Sequence, residues 1–198
     1  MIKENKMILI GSTGRNSGKT TLACSLIEKY KMKYNIIGLK VTTISSRSAK
    51  CPRGGEGCGV CTSITGDYDI KFEKKRNSDK DTVRLLNSGC EEVYWIRAHR
   101  DSLSKAYEEF MEISKGYDII ICESNSLRHI VEPAVFIMIK NTDDELMKPT
   151  SREVIGYADI IIGSCDEDEA ERISDLINID KTGVYYEREN EDPRKGYN

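Results

Sequence analysis

The stretch that most constrains the fold lies near the start of the chain, in residues 7–31. An apolar run, Met7 to Ile10, is followed by a glycine-rich segment and then by Gly18-Lys19-Thr20-Thr21, which opens an amphipathic helix. Small residues let backbone N–H groups turn inward around phosphate oxygens, and a helix N-terminus adds partial positive charge. The pattern therefore predicts a P-loop, with Lys19 on the β- and γ-phosphates and the Thr20 hydroxyl on Mg²⁺.

This segment departs from the usual P-loop spacing at one position. Thr13 stands where the pattern expects its first glycine, and Gly11 and Gly14 lie on either side of it. The alternative is a glycine-rich turn that only caps a helix, but Gly-Lys-Thr-Thr directly after an apolar strand favours nucleotide binding. We expect the nucleotide phosphates to contact Gly14, Arg15, Asn16, Ser17, Gly18, Lys19, Thr20 and Thr21.

Composition and charge narrow the class of protein. A chain of 198 residues is expected to form one domain, 1–198, with an elaborated loop. The net charge of −3 gives no electrostatic footprint for nucleic acid. No apolar run approaches the ~20 residues that span a bilayer, and the apolar stretch near the N-terminus is too short for a signal-peptide core. We therefore expect a cytoplasmic protein without a nucleic-acid or membrane partner.

Apolar segments that alternate with helical patterns predict an α/β fold of the P-loop NTPase type, with a mostly parallel central sheet flanked by helices. After the first strand and helix, the patterns predict strands over 35–41, 68–72, 93–96, 117–123, 134–139, 159–162 and 183–186, and helices over 79–89, 101–114, 149–157 and 166–176. The helix over 101–114 is expected to begin at an Asp101 N-cap and to bury a stripe of Leu103, Tyr107, Phe110 and Met111.

Charged residues at strand ends are the remaining candidates for catalysis. Lys40 ends the second strand and would point into the crevice beyond the carboxyl edge of the sheet, towards phosphate or an anionic substrate. Glu123 ends an apolar strand in a Walker B-like arrangement and would hold Mg²⁺ directly or through water. Both could instead be ordinary solvent-facing charges. With Asp81 as a further carboxylate near the metal, the predicted catalytic group is Lys19, Lys40, Asp81 and Glu123.

Cysteine is the unusual feature of the composition. Of seven cysteines, Cys51, Cys58 and Cys61 lie within residues 42–66, a glycine-rich segment without helical or strand periodicity. Their C-x6-C-x2-C spacing suits a structural zinc or a [4Fe–4S] cluster. The fourth ligand could be Cys90, a histidine, a partner's cysteine or an exogenous group. The alternative is a reduced, flexible loop or one whose thiols oxidise on purification.

The segment Ile139-Lys140-Asn141-Thr142-Asp143 is similar to the guanine-reading N-K-x-D element. The order of its residues is scrambled, and the aspartate comes one place late. It leaves the choice between guanine and adenine open.

Taken in order, these motifs resemble the molybdopterin-guanine dinucleotide biosynthesis protein B family. The resemblance rests on the P-loop, Lys40, Asp79-Lys80-Asp81-Thr82-Val83-Arg84 and Cys122-Glu123-Ser124, and covers about residues 5–165. That family belongs to the dethiobiotin-synthetase-like and nitrogenase-iron-protein-like P-loop proteins. The resemblance implies GTP and Mg²⁺ binding, a homodimer, and assistance in attaching a nucleotide to molybdopterin.

Three departures distinguish the chain from that family: Asp79 and Ser124 replace glycines, and the cysteine segment is additional. They favour a relative that serves another metal-centre or cofactor assembly task. The sequence thus predicts a Mg²⁺-dependent NTPase, with GTP favoured over ATP, that works with a cofactor-biosynthesis partner protein. Two alternatives stay open: an ATP-dependent small-molecule kinase or ligase of the dethiobiotin-synthetase type, and a non-hydrolysing adaptor that senses nucleotide.

Overall fold

A computed structural model describes residues 1–44, 64, 66–141 and 147–187. Over these ranges the chain forms nine strands and five α-helices joined by turns and short 3₁₀ segments. The strands are β1 (Ile2–Ser12), β2 (Ile36–Ile44), β3 (Tyr68–Phe72), β4 (Glu92–His99), β5 (Ile119–Glu123), β6 (Val131–Ile139), β7 (Ile160–Ile162), β8 (Ile177–Asp180) and β9 (Gly183–Tyr186). The helices are α1 (Lys19–Tyr30), α2 (Asp81–Ser88), α3 (Leu103–Ile113), α4 (Pro149–Arg152) and α5 (Glu167–Leu176).

Seven strands form one sheet in the order β3-β4-β2-β5-β1-β6-β7. All neighbours in it are parallel except β3 and β4, which are antiparallel. The remaining strands, β8 and β9, form a separate antiparallel hairpin. The predicted α/β architecture is therefore confirmed: a mostly parallel sheet flanked by helices, compatible with a P-loop NTPase-like fold. Its parallel strands bring the carboxyl ends of β1, β2, β5 and β6 to one edge, where ligands bind in such folds.

Two hydrophobic layers enclose the sheet because successive side chains of a strand point to opposite faces. Ile8 and Ile10 of β1 pack in the layer that contains side chains of α1, α2 and α5. Met7 and Leu9 pack on the other face, with side chains of α3. All four side chains are fully buried, which explains why the sequence of β1 is a continuous apolar run rather than an alternating one.

Several strands are longer than predicted because a neighbouring strand extends the pairing, whereas β5 begins at Ile119 instead of residue 117 and β7 at Ile160 instead of residue 159. β1 begins at Ile2, which pairs with Val131 of β6, although the segment before Met7 is mostly polar. β2 continues to Ile44, which pairs with His99 of β4. The strands over 68–72 and 183–186 have their predicted bounds.

The start of α3 corrects the prediction for residues 101–114. Residues Arg100–Ser102 form a 3₁₀ turn, so α3 begins at Leu103 with Ser102 as its N-cap, and no side chain caps the helix. The expected N-cap at Asp101 is therefore wrong. Of the predicted stripe, Leu103, Tyr107 and Phe110 are buried as predicted, whereas Met111 is only partly buried.

The last part of the described chain also differs from the prediction. The helix expected over 149–157 is split into α4 and a 3₁₀ turn at Ile155–Tyr157. Strand β8 was not predicted, since Ile177–Asp180 follows α5 without an intervening turn signal. Lys29 of α1 contacts both α5 and the hairpin, because its Nζ donates to the Ser174 carbonyl at 2.6 Å and to the Ile177 carbonyl at 3.5 Å. Among the described residues, no helix is long and apolar enough to cross a membrane.

Candidate functional site

The loop between β1 and α1 turns through a conformation that requires glycine at residue 18. Gly18 has a φ of +91°, in the left-handed region, and forms the N-cap of α1. A Cβ atom at this position would overlap the carbonyl oxygen of Cys165. The backbone of Cys165 is held close to the loop because its N–H donates to the Ser17 carbonyl at 3.1 Å. Asn16 has a φ of +50°, which asparagine tolerates better than most residues. The backbone therefore turns sharply at residues 16 and 18, directly before α1.

Lys19 points back into this loop. Its Nζ lies 2.6 Å from Ser12 Oγ and 3.4 Å from Ser17 Oγ, at the two ends of the loop. Burial lowers the pKa of Lys19, and the nearby carboxylates of Glu123 and Asp81 oppose this shift. The ammonium group thus lies at the concave side of the loop, where the P-loop interpretation needs it.

Strand register brings Lys40 and Glu123 together beside the loop. Glu123 of β5 pairs with Ile10 of β1 on one side and with Lys40 of β2 on the other. The Lys40 ammonium forms an ion pair with Asp81, the first residue of α2. The structure therefore assembles all four predicted catalytic residues, Lys19, Lys40, Asp81 and Glu123, at one point on the carboxyl edge of the sheet.

The two carboxylates at this point have different electrostatic environments. Burial raises the pKa of Glu123, whose residue is only 4% exposed, although the positive charge of Lys40 acts in the opposite direction. Burial would also raise the pKa of Asp81, but the hydrogen bond and positive charge of Lys40 outweigh it, so that the pKa falls. The Thr20 hydroxyl lies near both carboxylates and lowers the pKa of each, although less than Lys40 does.

Glu123 Oε1 is buried and has no hydrogen-bond partner among the described residues. A buried carboxylate oxygen without a partner is costly, and it is also the kind of oxygen that a hard cation such as Mg²⁺ takes as a ligand. The residues present therefore fit the predicted magnesium site: Thr20 and Glu123 would hold the ion together with phosphate oxygens. No cluster of three or more His, Cys, Asp or Glu side chains that could hold a metal occurs in the described ranges, but this kind of site needs fewer.

Asn125 fixes the first residue of the loop. The Ser12 N–H donates to Asn125 Oδ1 at 2.8 Å, and Asn125 Nδ2 donates to the Ser12 carbonyl at 2.9 Å. This side chain thereby continues the β1–β5 pairing beyond Glu123. It also explains the glycine at residue 11, because a Cβ atom on Gly11 would lie 2.7 Å from Asn125 Oδ1.

Thr13, the residue that departs from the usual P-loop pattern, is fixed from the other side. The Asn141 N–H donates to Thr13 Oγ1 at 3.1 Å, and Thr13 Oγ1 donates to Asn141 Oδ1 at 3.4 Å. Asn141 Nδ2 also donates to the Arg15 carbonyl at 3.2 Å. Thr13 is fully buried, so its hydroxyl connects the loop to the end of β6 instead of supplying glycine-like freedom.

Sequence reasoning missed the roles of Asn125, Asn141 and Lys148. Asn125 follows the end of β5, and Asn141 lies in the segment that is similar to the guanine-reading element, but no residue spacing indicates the contacts that either side chain makes. Lys148 Nζ donates to the Gly14 carbonyl at 2.8 Å, and nothing in the sequence indicated it. Within the guanine-like segment, Thr142 and Asp143 lie outside the described residues.

The other predicted phosphate-binding residues occupy the same loop and the first turn of α1. Gly14 and Ser17 are buried, Arg15 and Asn16 are exposed, and Thr21 is half-buried. Arg15 and Asn16 lie between two fixed parts of the loop. On one side are Ser12 and Thr13, which are bound by Asn125 and Asn141, and on the other side is Gly18.

The predicted cysteine site falls outside the described residues, because Cys51, Cys58 and Cys61 all lie there. Zinc or an iron–sulfur cluster therefore stays a prediction. Cys90, one suggested fourth ligand, is a free thiol 3% exposed in the layer of α1 and α2, and burial raises its pKa. It packs as a small hydrophobic residue.

Comparisons with protein-family models, with curated proteins and with solved structures give no match for this chain. The class of protein is therefore defined by fold and geometry: an α/β protein with a mostly parallel seven-stranded sheet. At the carboxyl edge of that sheet, a glycine-containing loop, two lysines and two carboxylates converge.

Proposed function

We propose that this protein binds a Mg²⁺–nucleoside triphosphate complex at the carboxyl edge of its sheet and hydrolyses the nucleotide. The observation that carries the proposal is the buried Glu123 carboxylate, with one unpaired oxygen, next to Thr20 at the start of α1. A hydroxyl and a carboxylate in this position are the ligands that a phosphate-bound magnesium ion requires.

Each residue at the site has a distinct task in this proposal. Lys19 and the N–H groups of the loop bind the β- and γ-phosphates, and Thr20 and Glu123 hold the metal. When bound, Mg²⁺ neutralises charge that develops on the phosphate oxygens. Lys40 lies next to Glu123 in register and supplies a second ammonium group to the γ-phosphate side. Hydrolysis then rests on positioning and charge neutralisation, as in other phosphoryl transfers.

The test is a direct measurement of nucleotide binding and phosphate release. Fluorescent GTP and ATP analogues are titrated with Mg²⁺ into the wild type, Lys19→Ala and Glu123→Gln. Hydrogen bonds to charged groups contribute about 1.5–3 kcal/mol, so Lys19→Ala should weaken binding by roughly 10–100-fold. Lys31→Ala is the matched control, since Lys31 is the C-cap of the same helix, at the end away from the loop, and its Nζ donates to the exposed Ser88 carbonyl. Equal binding and turnover in all four proteins would refute the proposal.

For the nucleotide, we propose GTP over ATP. The support is the resemblance to the molybdopterin-guanine dinucleotide biosynthesis protein B family, not a contact to the base. Competition of unlabelled GTP and ATP against the same fluorescent analogue decides the point. A lower inhibition constant for ATP would reject the guanine preference and leave nucleotide binding itself intact.

We further propose that turnover serves the assembly of a metal cofactor, with a homodimer and a partner biosynthetic protein. The support is the resemblance together with the cysteine spacing. Iron, zinc and acid-labile sulfide are measured on anaerobically purified protein and on a variant with Cys51, Cys58 and Cys61 replaced by serine. Metal that disappears in the variant would assign the site to the three thiolates; equal metal content in both proteins would reject it.

The two alternative functions give different kinetic results. A kinase or ligase would show low basal hydrolysis that rises sharply with a small-molecule acceptor. A nucleotide-sensing adaptor would bind nucleotide tightly, with a phosphate release rate that is the same in wild type and Lys19→Ala. Steady hydrolysis that depends on Lys19 without any acceptor favours the NTPase.

A further inference from the structure

The site contains a cation of its own between its carboxylates. The carboxylates of Asp81 and Glu123 both lie near the Thr20 hydroxyl, which lowers the pKa of each, and three oxygen atoms grouped in this way suit a divalent ion. Lys40 lies next to both carboxylates. It is opposite Glu123 in strand register, and its ammonium group forms an ion pair with Asp81. The positive charge of the Lys40 side chain therefore lies beside the carboxylates that would bind the metal.

The charges at the site balance before any ligand enters. Lys19 and Lys40 contribute two positive groups, and Asp81 and Glu123 two negative ones. A free divalent ion that approaches these carboxylates meets two ammonium groups nearby, so it gains little net attraction. A nucleoside triphosphate reverses this balance because it brings several negative charges to the lysines.

The backbone allows Lys40 to move only through its side chain. β2 is paired on both sides, with β4 and β5, so the position of Lys40 along the sheet is fixed. Its side chain is 26% exposed and ends in a compact charge on a flexible stem, and Asp81 is 41% exposed. By contrast, Arg97 on the same face of the sheet is 2% exposed and binds both oxygens of Asp69, a geometry that holds it in place.

We propose that Lys40 is a resident counter-cation that holds Asp81 in the nucleotide-free protein and leaves it for the γ-phosphate when nucleotide binds. Divalent metal then binds with the nucleotide or after it, and not before. The half of this inference that concerns the nucleotide rests on the proposed function. The half that concerns free metal rests only on the ion pair and on the two carboxylates.

Binding of Mn²⁺ in the absence of nucleotide tests the inference without measuring activity. Free Mn²⁺ is followed by its electron paramagnetic resonance signal during titration of the wild type, Lys40→Met and Lys40→Arg. We expect the dissociation constant to fall by about 10-fold or more in Lys40→Met, because a nearby positive charge is removed, and to stay near the wild-type value in Lys40→Arg, which keeps the charge. Lys71→Met is the control, because Lys71 lies in the same register row, opposite Trp95, but pairs with Asp69.

The same variants are then titrated with Mn²⁺ and a non-hydrolysable nucleotide analogue. Lys40→Met should bind the complex at least 10-fold more weakly than the wild type, since the γ-phosphate loses a cation. The two titrations of Lys40→Met therefore change in opposite directions, which a general loss of structure would not produce. Lys40→Gln provides the same comparison if the folded fraction of Lys40→Met, measured by circular dichroism, is reduced.

Two results would overturn the inference and leave the proposed function standing. One is equal affinity of wild type and Lys40→Met for free Mn²⁺. The other is tight, micromolar binding of free Mn²⁺ by the wild type itself. Absence of nucleotide binding in the wild type would instead refute the proposed function, and the Mn²⁺ titration without nucleotide would still decide whether Lys40 excludes free metal.

Discussion

Replacing Asn125 by alanine tests whether the segment after β5 holds the start of the loop in shape. The side-chain amide of Asn125 makes two hydrogen bonds to the backbone of Ser12, at 2.8 and 2.9 Å. Ser12 is only 1% exposed, so its N–H and C=O groups have little access to water once the amide is removed. The substitution therefore leaves two backbone groups without partners at the start of the loop.

The expected loss of stability follows from the free energy that an unsatisfied buried polar group costs. Each such group costs about 1–3 kcal/mol, so two of them set an upper range of roughly 2–6 kcal/mol. Asn125 itself is half-buried, and water can enter the space that its side chain leaves. We therefore expect the free energy of unfolding to fall by about 2–3 kcal/mol.

Urea unfolding at neutral pH, followed by circular dichroism, measures this change. Asn87→Ala is the control, because Asn87 makes a single exposed hydrogen bond, to the Arg76 carbonyl, and its loss should change stability by less than about 0.5 kcal/mol. Asn125→Asp keeps an acceptor for the Ser12 N–H and should lie between the wild type and Asn125→Ala. If Asn125→Ala unfolds at the same urea concentration as Asn87→Ala, the reasoning about the loop is wrong.

A double-mutant cycle with Gly11 separates this contact from a general loss of packing. A Cβ atom on Gly11 would lie 2.7 Å from Asn125 Oδ1 and 3.0 Å from the Met138 Cε atom. Gly11→Ala should therefore destabilise the wild type by about 1–3 kcal/mol. In the Asn125→Ala background the same change should cost at least ~0.5 kcal/mol less, since the nearest atom is gone. Strict additivity would show that Asn125 is not what demands glycine at this position.

Three further predictions concern the same edge of the sheet. Gly18→Ala should lower the free energy of unfolding by more than about 2 kcal/mol, because a positive φ alone costs about 1–2 kcal/mol and a backbone overlap is added; Gly116→Ala, with open space around it, is the control in the same urea assay. Because burial raises the pKa of Glu123, its carboxyl group releases its proton at a higher pH in the native state than in the unfolded state, so the contribution of Glu123 to stability should fall as the pH rises above the ordinary carboxyl pKa. Glu123→Gln should therefore be more stable than the wild type at pH 8 and lose this advantage at pH 4, and parallel curves from pH 4 to 8 would contradict it. Thr13→Val removes the acceptor for the Asn141 N–H and should cost about 1–2 kcal/mol, whereas Thr13→Ser should cost less; equal midpoints of thermal unfolding would exclude a role for the hydroxyl.

The sequence predicted most of the fold because its strong signals are local. The apolar runs of β1, β5 and β6 are buried on both faces, so each is recognisable without its neighbours. What a local pattern does not contain is the partner of each strand. The polar start of β1 is a strand because it pairs with β6, and the reversed direction of β3 depends on its pairing with β4.

In the candidate site too, local sequence patterns predict some residues, whereas the contacts between them depend on tertiary structure. Lys19 and Thr20 follow from the spacing around Gly18, and Lys40 and Glu123 from their places at strand ends. That the last two are direct neighbours depends on the strand order β2-β5-β1, which tertiary pairing decides. The contacts of Asn125 depend on how the backbone turns after β5, and no residue spacing indicates that turn.

Two buried charged side chains on one face of the sheet differ in how far the described structure compensates them. Arg97 is almost fully buried, and Asp69 binds its guanidinium group through both carboxylate oxygens, so the structure itself compensates the cost of burying that charge. Glu123 is as deeply buried, yet one of its oxygens has no partner in the described part of the chain, and burial raises its pKa. A carboxylate kept in this state lowers the stability of the free protein. Binding of a cation with nucleotide would remove that cost, and a ligand at 100 times its dissociation constant would stabilise the fold by about 2.7 kcal/mol. The burial of the Glu123 carboxylate thus lowers the stability of the free protein, and for the same reason a bound cation would be expected to raise it.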